Sequence, residues 1–143
     1  MHILRAWLAA HDTAGPSWLA ALGDTQIGTA LARMHAHPDR SWTTESLAAE
    51  VSMSRVAFAR RFTRLVGEAP LAYLTRWRLN LAARRLRDAD EAIAAVAGQV
   101  GYSSEYSFSR AFTRYHGQPP GRYRRECRAS SETRQPNQRQ ALP

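Results

Sequence analysis

The chain has 143 residues and a formal net charge of +8, and all twenty of its basic Lys/Arg positions are arginine. This length allows one domain, or two small lobes, with short ends. Residues 27–125 hold sixteen arginines but only eight acidic residues, which favours a polyanionic partner such as double-stranded DNA. One cysteine excludes an internal disulfide, and we find no long apolar run or signal peptide. Together these features predict a protein of a reducing cytoplasm with no membrane partner.

The N-terminal part contains little apolar surface. Residues 1–23 hold two short amphipathic segments separated by Gly15 and Pro16, too little to form a core alone, so they must dock elsewhere or stay loose. From Ile27 onward apolar residues recur at positions i, i+4 and i+7. This spacing predicts a helix that ends before Pro38.

Two short helices are predicted next. Thr43 is a suitable N-cap for the first of them, and Ser54 for the second. Phe58 and Phe62 lie on one face of the second helix, and Gly67 marks its end.

Residues 71–87 predict one long helix of good helix formers. Its apolar residues form two stripes roughly 140° apart. The stripes are Leu74, Trp77, Leu81 and Leu79, Ala82, Leu86. Because a helix that is apolar on two sides is usually sandwiched, this helix is predicted to be a strut between two lobes. Its seventeen residues span roughly 25 Å.

The helical pattern restarts at Ile93, turns at Gly101, continues over 104–115, and ends in a short helix that begins at residue 119. The polar segment 126–143 is predicted to be a disordered tail. Strand-like alternation is absent between residues 27 and 125. The sequence therefore predicts an all-α protein with about seven helices and two helix-turn-helix lobes joined by the long helix.

The segments 47–70 and 96–120 are copies of one another. With one extra residue in the second turn, ten positions are identical: Ala48/Ala97, Val51/Val100, Ser54/Ser104, Phe58/Phe108, Arg60/Arg110, Phe62/Phe112, Thr63/Thr113, Arg64/Arg114, Gly67/Gly117 and Pro70/Pro120. Two copies are too few for a solenoid. They indicate a protein with two equivalent binding heads.

Each copy has the features of a helix-turn-helix DNA reader. A small alanine permits close packing of its two helices, the Phe pair forms the core, and polar residues face outward. The outward-facing residues are the candidates for base contacts: Arg55, Val56, Ala59, Arg60, Glu105, Tyr106, Ser107, Ser109 and Arg110. Arg60 and Arg110 share one repeat position, where an arginine can bind a guanine edge or grip a phosphate.

A second set of residues is predicted to contact the DNA backbone, which positions a protein without specifying sequence. These candidates are Thr43, Thr44, Arg61, Arg64, Arg114 and Arg124. With the offset of each head added, the strut brings the two reading helices within range of ~34 Å, one turn of the duplex. One chain is then expected to read two successive major grooves.

These residues resemble the C-terminal DNA-binding domain of the AraC/XylS family of transcription regulators. The likeness spans 27–125 and is strongest in the second half: Ile93-Ala94, Val96-Ala97, Val100-Gly101-Tyr102, Phe108-Ser109-Arg110-Ala111-Phe112, Gly117, Pro120 and Tyr123-Arg124. Residues 17–42 look like the linker helix of the subgroup with a cupin-type sensor. Residues 1–26 are then a remnant of that sensor or a linker.

The resemblance implies a sequence-specific transcription regulator, expected to be an activator that recruits or positions RNA polymerase. Without a complete sensor it is expected to be monomeric, and no cofactor is implied. The sequence departs from the family pattern at Arg61, where an apolar residue is usual. Val56 and Ala59 suggest thymine-methyl contacts and weaker direct readout by the first head.

Two other readings compete with this one. An enzyme would need a nucleophile, but Cys127 lacks a histidine or asparagine context, and His35 and His37 are a weak metal signal, so we expect neither an enzyme nor a metal site. The chain could instead be a truncated partner or competitor of a full-length relative, acting through the apolar residues of segment 3–8.

Overall fold

The computed structural model describes residues 23–134, and it contains seven α-helices and no β-strand over that range. The helices are α1 (Thr25–Ala36), α2 (Thr44–Glu50), α3 (Arg55–Val66), α4 (Pro70–Asp88), α5 (Ile93–Gln99), α6 (Glu105–His116) and α7 (Pro120–Arg134). The predicted all-α class and helix count are confirmed. None of these helices is long and apolar enough to cross a membrane.

The chain divides into two compact units, which we call the first lobe, up to Arg78, and the second lobe, from Leu79. Each lobe has its own hydrophobic core. In the first lobe, side chains of α1, α2, α3 and the first half of α4 surround Phe58 and Phe62, which are fully buried. In the second lobe, the rest of α4 joins α5 and α6 around Phe108 and Phe112.

Helix α4 contributes to the two cores in succession along its length. Leu74 and Trp77 belong to the first core, whereas Leu79 and Leu86 belong to the second. The two predicted stripes need one correction, because Leu81 packs against the second core and not with Leu74 and Trp77. Position along the helix, rather than angular stripe alone, decides which core an apolar residue joins.

The reading helices α3 and α6 begin and end in the same way. The hydroxyl of Ser54 accepts the amide hydrogen of Ala57 at 3.2 Å, and the hydroxyl of Ser104 accepts that of Ser107 at 3.1 Å. At the other end, Gly67 and Gly117 have φ values of 95° and 80°, a left-handed conformation that favours glycine. The predicted cap and stop of α3 are confirmed, and α6 repeats them at the equivalent positions.

The last helix is longer than the sequence predicts, so residues 126–134 are not part of a disordered tail. Helix α7 continues to Arg134, nine residues beyond the boundary placed at Arg125. Ion pairs accompany this extension: Arg122 pairs with Glu126 within the helix, and Arg128 contacts Asp90 at 2.8 Å. Composition suggested disorder because this segment is polar, yet a polar helix can form on the surface of a folded lobe. Residues 1–22 and 135–143, including the apolar segment 3–8, lie outside the described residues.

Candidate nucleic-acid interface

The first reading helix, α3, presents its predicted face to solvent. Phe58 and Phe62 fix the opposite face in the core, with their ring centroids 5.7 Å apart. Arg55, Val56 and Arg60 are exposed and Ala59 is partly exposed. Val56 is 66% exposed, so its methyl groups are accessible to an apolar group of a ligand.

The second reading helix, α6, repeats this arrangement. Phe108 and Phe112 lie 5.6 Å apart in the core, and the residues opposite them are exposed. This outer face consists of Glu105, Tyr106, Ser107, Ser109 and Arg110, of which only Ser109 is partly covered. All nine predicted base-contact residues are therefore accessible, and each set of them lies on one helix face.

Most arginines outside the reading helices are held by the protein itself. Carboxylates pair with Arg33, Arg40, Arg76, Arg87, Arg122 and Arg128. Others bind protein oxygens that carry no formal charge: Arg78 donates to the carbonyls of Pro38 and Arg40, and Arg85 donates to the side chain of Gln99.

Four exposed arginines of the reading helices differ from this group. Arg60 and Arg64 on α3, and Arg110 and Arg114 on α6, have no carboxylate within 4.0 Å among residues 23–134. They occupy two equivalent positions of the repeat, one turn apart on each helix. Exposed guanidinium groups without carboxylate partners retain their full donor capacity for phosphate or base edges.

Arg61 was predicted to contact phosphate, but the structure gives it a different role. Its Nε lies 2.8 Å from the Asp24 carboxylate, and its Nη1 donates to the Gln26 side chain at 2.9 Å. Gln26 in turn donates to the carbonyl of Val51 at 3.0 Å. Arg61 thus joins α1 to the reading helix of the first lobe, which explains a charged residue at a half-buried site.

Arg124 was also predicted to contact phosphate, but its guanidinium group binds the protein itself. Its Nε donates to the carbonyl of Leu86 at 3.0 Å, and one of its terminal nitrogens is buried without a hydrogen-bond partner in the described part of the chain. The Arg124 hydrogen bond links α7 to the end of α4. A guanidinium group fixed in this way has a structural function in the second lobe.

The two threonines of the phosphate set lie at the start of α2. Thr43 is exposed, and its hydroxyl accepts the amide hydrogen of Ser46 at 3.0 Å while Ser46 caps the Thr43 amide in return. Thr44, the first residue of the helix, is half-buried. A helix N-terminus with accessible hydroxyl groups is suited to a phosphate.

Thr113 was not predicted, although it lines an open depression on the outside of α6 together with Tyr106, Ser109, Arg110, Arg114 and Pro119. The repeat contained a signal for it, since Thr63 and Thr113 are identical and both are exposed. Its hydroxyl donates to the carbonyl of Ser109 at 2.6 Å, so only its oxygen lone pairs remain for a ligand.

The histidine and cysteine signals have structural explanations. The ring of His35 stacks on Trp77 at 3.9 Å and hydrogen-bonds the hydroxyl of Tyr73. Cys127 lies half-buried on α7 and not in a loose tail, and burial together with this thiol raises the pKa of Tyr123. Within residues 23–134 no three His, Cys, Asp or Glu side chains are grouped to hold a metal ion.

Comparison with known proteins identifies the family. The profile described as a helix-turn-helix domain matches residues 47–126. An AraC-like transcription regulator of Streptomyces lividans is 47% identical over 125 residues, which are 87% of this chain and 41% of that protein. The transcriptional regulator AlkR of Acinetobacter baylyi is 47% identical over 110 residues, covering 77% of this chain and 36% of its own.

The chain belongs to the AraC/XylS family. It spans about two fifths of the length of these curated relatives. Solved AraC-type domains agree with this assignment. The DNA-binding domain of AdpA, in complex with a target DNA, shares 33% identity and a TM-score of 0.70, covering 80% of this chain and 99% of that one. The C-terminal domain of AraT from Geobacillus stearothermophilus shares 29% identity and a TM-score of 0.70, covering 72% of this chain and 86% of that one.

Proposed function

We propose that this chain binds double-stranded DNA in a sequence-specific way and regulates transcription, with α3 and α6 entering the major groove. The observation that carries this proposal is a matched set of exposed arginines that have no carboxylate partner among the described residues. They are Arg60 and Arg64 on α3 and Arg110 and Arg114 on α6. Elsewhere in the described chain most guanidinium groups are used internally. The protein therefore leaves its positive charge available on the two helices that the repeat also singles out.

The two arginines of each helix are assigned different roles. Arg60 and Arg110 lie nearer the helix N-terminus, where helix-turn-helix proteins contact base edges, and each can donate two hydrogen bonds to a guanine. Arg64 and Arg114 lie one turn further along and are assigned to phosphate. Thr43 and Thr44 are assigned to phosphate as well, at the start of α2.

We further propose that the two helices read successive major grooves on one face of the duplex. This is supported by the length of α4, nineteen residues, and by its contribution to both cores. A rigid connector would favour sites whose halves are one helical turn apart. Inserting five base pairs between the half-sites is expected to abolish binding to the two-part site, because half a turn moves the second groove to the opposite face. Equal affinity with and without the insertion would show that the lobes are flexibly tethered.

A salt titration tests the electrostatic part of the proposal. Each phosphate contact adds roughly −0.9 to the slope of log K against log salt concentration. Arg64 and Arg114, the two arginines assigned to phosphate, therefore predict a slope of about −2 or steeper in duplex-binding measurements, and the uncharged threonine hydroxyls add nothing to it. A shallower slope would contradict the assignment of these side chains to phosphate.

Single substitutions test the division between base and phosphate contacts. Arg110→Ala is expected to weaken the preferred site by ~1–3 kcal/mol and to relax the preference at one position of one half-site. Arg64→Ala is expected to weaken all sequences equally. Selection of bound sequences from a random duplex pool, followed by affinity measurements, distinguishes these outcomes. If the two variants behave alike, the division is incorrect.

The direction of regulation and the partner in transcription are a further part of the proposal. One relative, RclR of Escherichia coli, is named a transcriptional activator and is 38% identical over 125 residues. We propose that this chain also activates, through contact with RNA polymerase, and that it binds its site as a monomer. In vitro transcription from a selected site measures the first point, and the mass of the protein in solution measures the second.

A further inference from the structure

Tyr106 and Arg110 form a pair on the outer face of α6. The Arg110 guanidinium carbon lies 5.7 Å from the centroid of the Tyr106 ring, within the range of cation–π attraction. The two residues are four positions apart, so both side chains lie on the same face, and the arginine leans back over the preceding turn. Tyr106 is 71% exposed, so the ring is not held there by the core.

The first lobe lacks this arrangement. Val56 and Arg60 occupy the same repeat positions, also one turn apart and also exposed. A valine side chain is too short to reach a guanidinium group at the end of four rotatable bonds, and it has no ring face. Both lobes therefore have an arginine at this position, but only in the second lobe does an aromatic ring one turn earlier lie beside it.

We infer that Tyr106 is a positioning residue, which holds the Arg110 guanidinium in place so that the second lobe distinguishes guanine more sharply than the first lobe does. This inference rests on the proposed function, because it concerns how that arginine meets a base edge.

The physical reason is the entropy of a long side chain. An exposed arginine samples many rotamers, and most of them are lost when its planar fork is fixed against the O6 and N7 atoms of a guanine. A ring that attracts the guanidinium group in the free protein removes part of this loss in advance. Among the described residues no carboxylate pairs with Arg110, and the Tyr106 ring lies within range of its guanidinium group.

Substitutions at the two equivalent positions provide a matched test. The duplex is a site obtained by selection, and the position read by Arg110 is the one where R110A relaxes preference. Affinities are measured for duplexes with guanine, adenine or 7-deazaguanine at that position and, for the first lobe, at the position where R60A relaxes preference, since 7-deazaguanine lacks the N7 acceptor. The proteins are the wild type, Y106V, Y106F and V56Y.

Y106V is expected to reduce discrimination between guanine and the other two bases about two- to fivefold, the range of an exposed cation–π contact. Y106F keeps the ring and should match the wild type. V56Y should sharpen guanine discrimination by the first lobe by a similar factor. Since positions 56 and 106 are exposed, circular dichroism should show that all variants stay folded.

Three results would overturn the inference. Y106V could retain full discrimination, V56Y could leave the first lobe unchanged, or Y106F could lose as much as Y106V, which would show that the hydroxyl contacts DNA directly. Failure of the proposed function looks different, because the wild type would then select no sequence and R110A would have no effect. If R110A relaxes the preference but Y106V does not, only the positioning role is wrong.

Discussion

The two lobes share the buried Phe pair and the boundary residues of the reading helix but differ on the exposed face of that helix. Both have a Phe pair, a serine N-cap on the reading helix and a left-handed glycine at its end. On the exposed face, Arg55 is replaced by Glu105, and Val56 by Tyr106. Residues that fold the lobe are constrained by packing, whereas exposed residues are free to differ between the two lobes.

A second difference lies in how the reading helix is braced. In the first lobe, Arg61 links α3 to Asp24 and Gln26 at the start of α1. The equivalent residue of the second lobe is Ala111, which packs against that lobe's core. There the helix that follows, α7, packs on the reading helix instead, with the ring centroid of Tyr123 5.4 Å from that of Phe112. The first helix-turn-helix is therefore braced by the helix that precedes it, α1, and the second by the helix that follows it, α7.

The strongest test of the shared plan removes the core aromatic residues. Phe62→Ala and Phe112→Ala are each expected to cost ~3–5 kcal/mol of unfolding free energy, because both rings are fully buried. Urea denaturation followed by circular dichroism measures the loss. A cost below about 1 kcal/mol for either variant would mean that the two cores are not equivalent.

The bracing difference predicts an effect in the first lobe alone. Arg61→Ala should lower stability by about 1–2 kcal/mol, because it leaves the mostly buried Asp24 carboxylate without its cation, although partial exposure of Arg61 screens the pair. Arg64→Ala is the matched control and should change stability by less than about 0.5 kcal/mol.

DNA affinity should show the reverse order. Arg64→Ala should weaken binding, while Arg61→Ala at a temperature where it is folded should bind nearly as well as the wild type. If Arg61→Ala weakens binding as much as Arg64→Ala does, Arg61 contacts phosphate as the sequence first suggested.

The caps of α2 and α5 differ and predict a smaller effect. Thr43 and Ser46 form a capping box, whereas Ala92 gives α5 no side-chain cap. Thr43→Ala should cost about 1 kcal/mol, and Ala92→Thr should gain a few tenths to 1 kcal/mol. Thermal denaturation of the two variants compares them directly. The two substitutions should change the stability in opposite directions. Changes in the same direction would show that capping does not distinguish the lobes.

The smallest effect is expected in the turns. Ser52 has a φ of 57° and Gly101 a φ of 93°, both in the left-handed region. Ser52→Gly should relieve strain and raise stability by about 0.5–1 kcal/mol, while Gly101→Ser should lower it by a similar amount or more. Chemical denaturation measures both, and a loss of stability for Ser52→Gly would show that its side chain has a role in the turn.

Much of the fold followed from local patterns. The repeat, the spacing of Phe58 and Phe62, and the serine and glycine boundaries predicted the helices and the faces they bury. The same reasoning misplaced the end of α7 and the partner of Leu81. Both errors have the same cause. The length of a polar helix, and the core that an apolar residue joins at a lobe boundary, are decided by the elements that pack beside them.

The sequence by itself determined that this is an all-α protein with two copies of one DNA-reading unit, because helix periodicity and capping act over a few residues. It could not decide which arginines are available to a ligand. Arg61 finds Asp24 and Gln26, the latter 35 residues away, and Arg124 finds a carbonyl 38 residues away. Such pairings depend on how helices distant in sequence are brought together, so only the tertiary structure separated the arginines that bind protein groups within a lobe from the exposed arginines of the reading helices that have no carboxylate partner among the described residues.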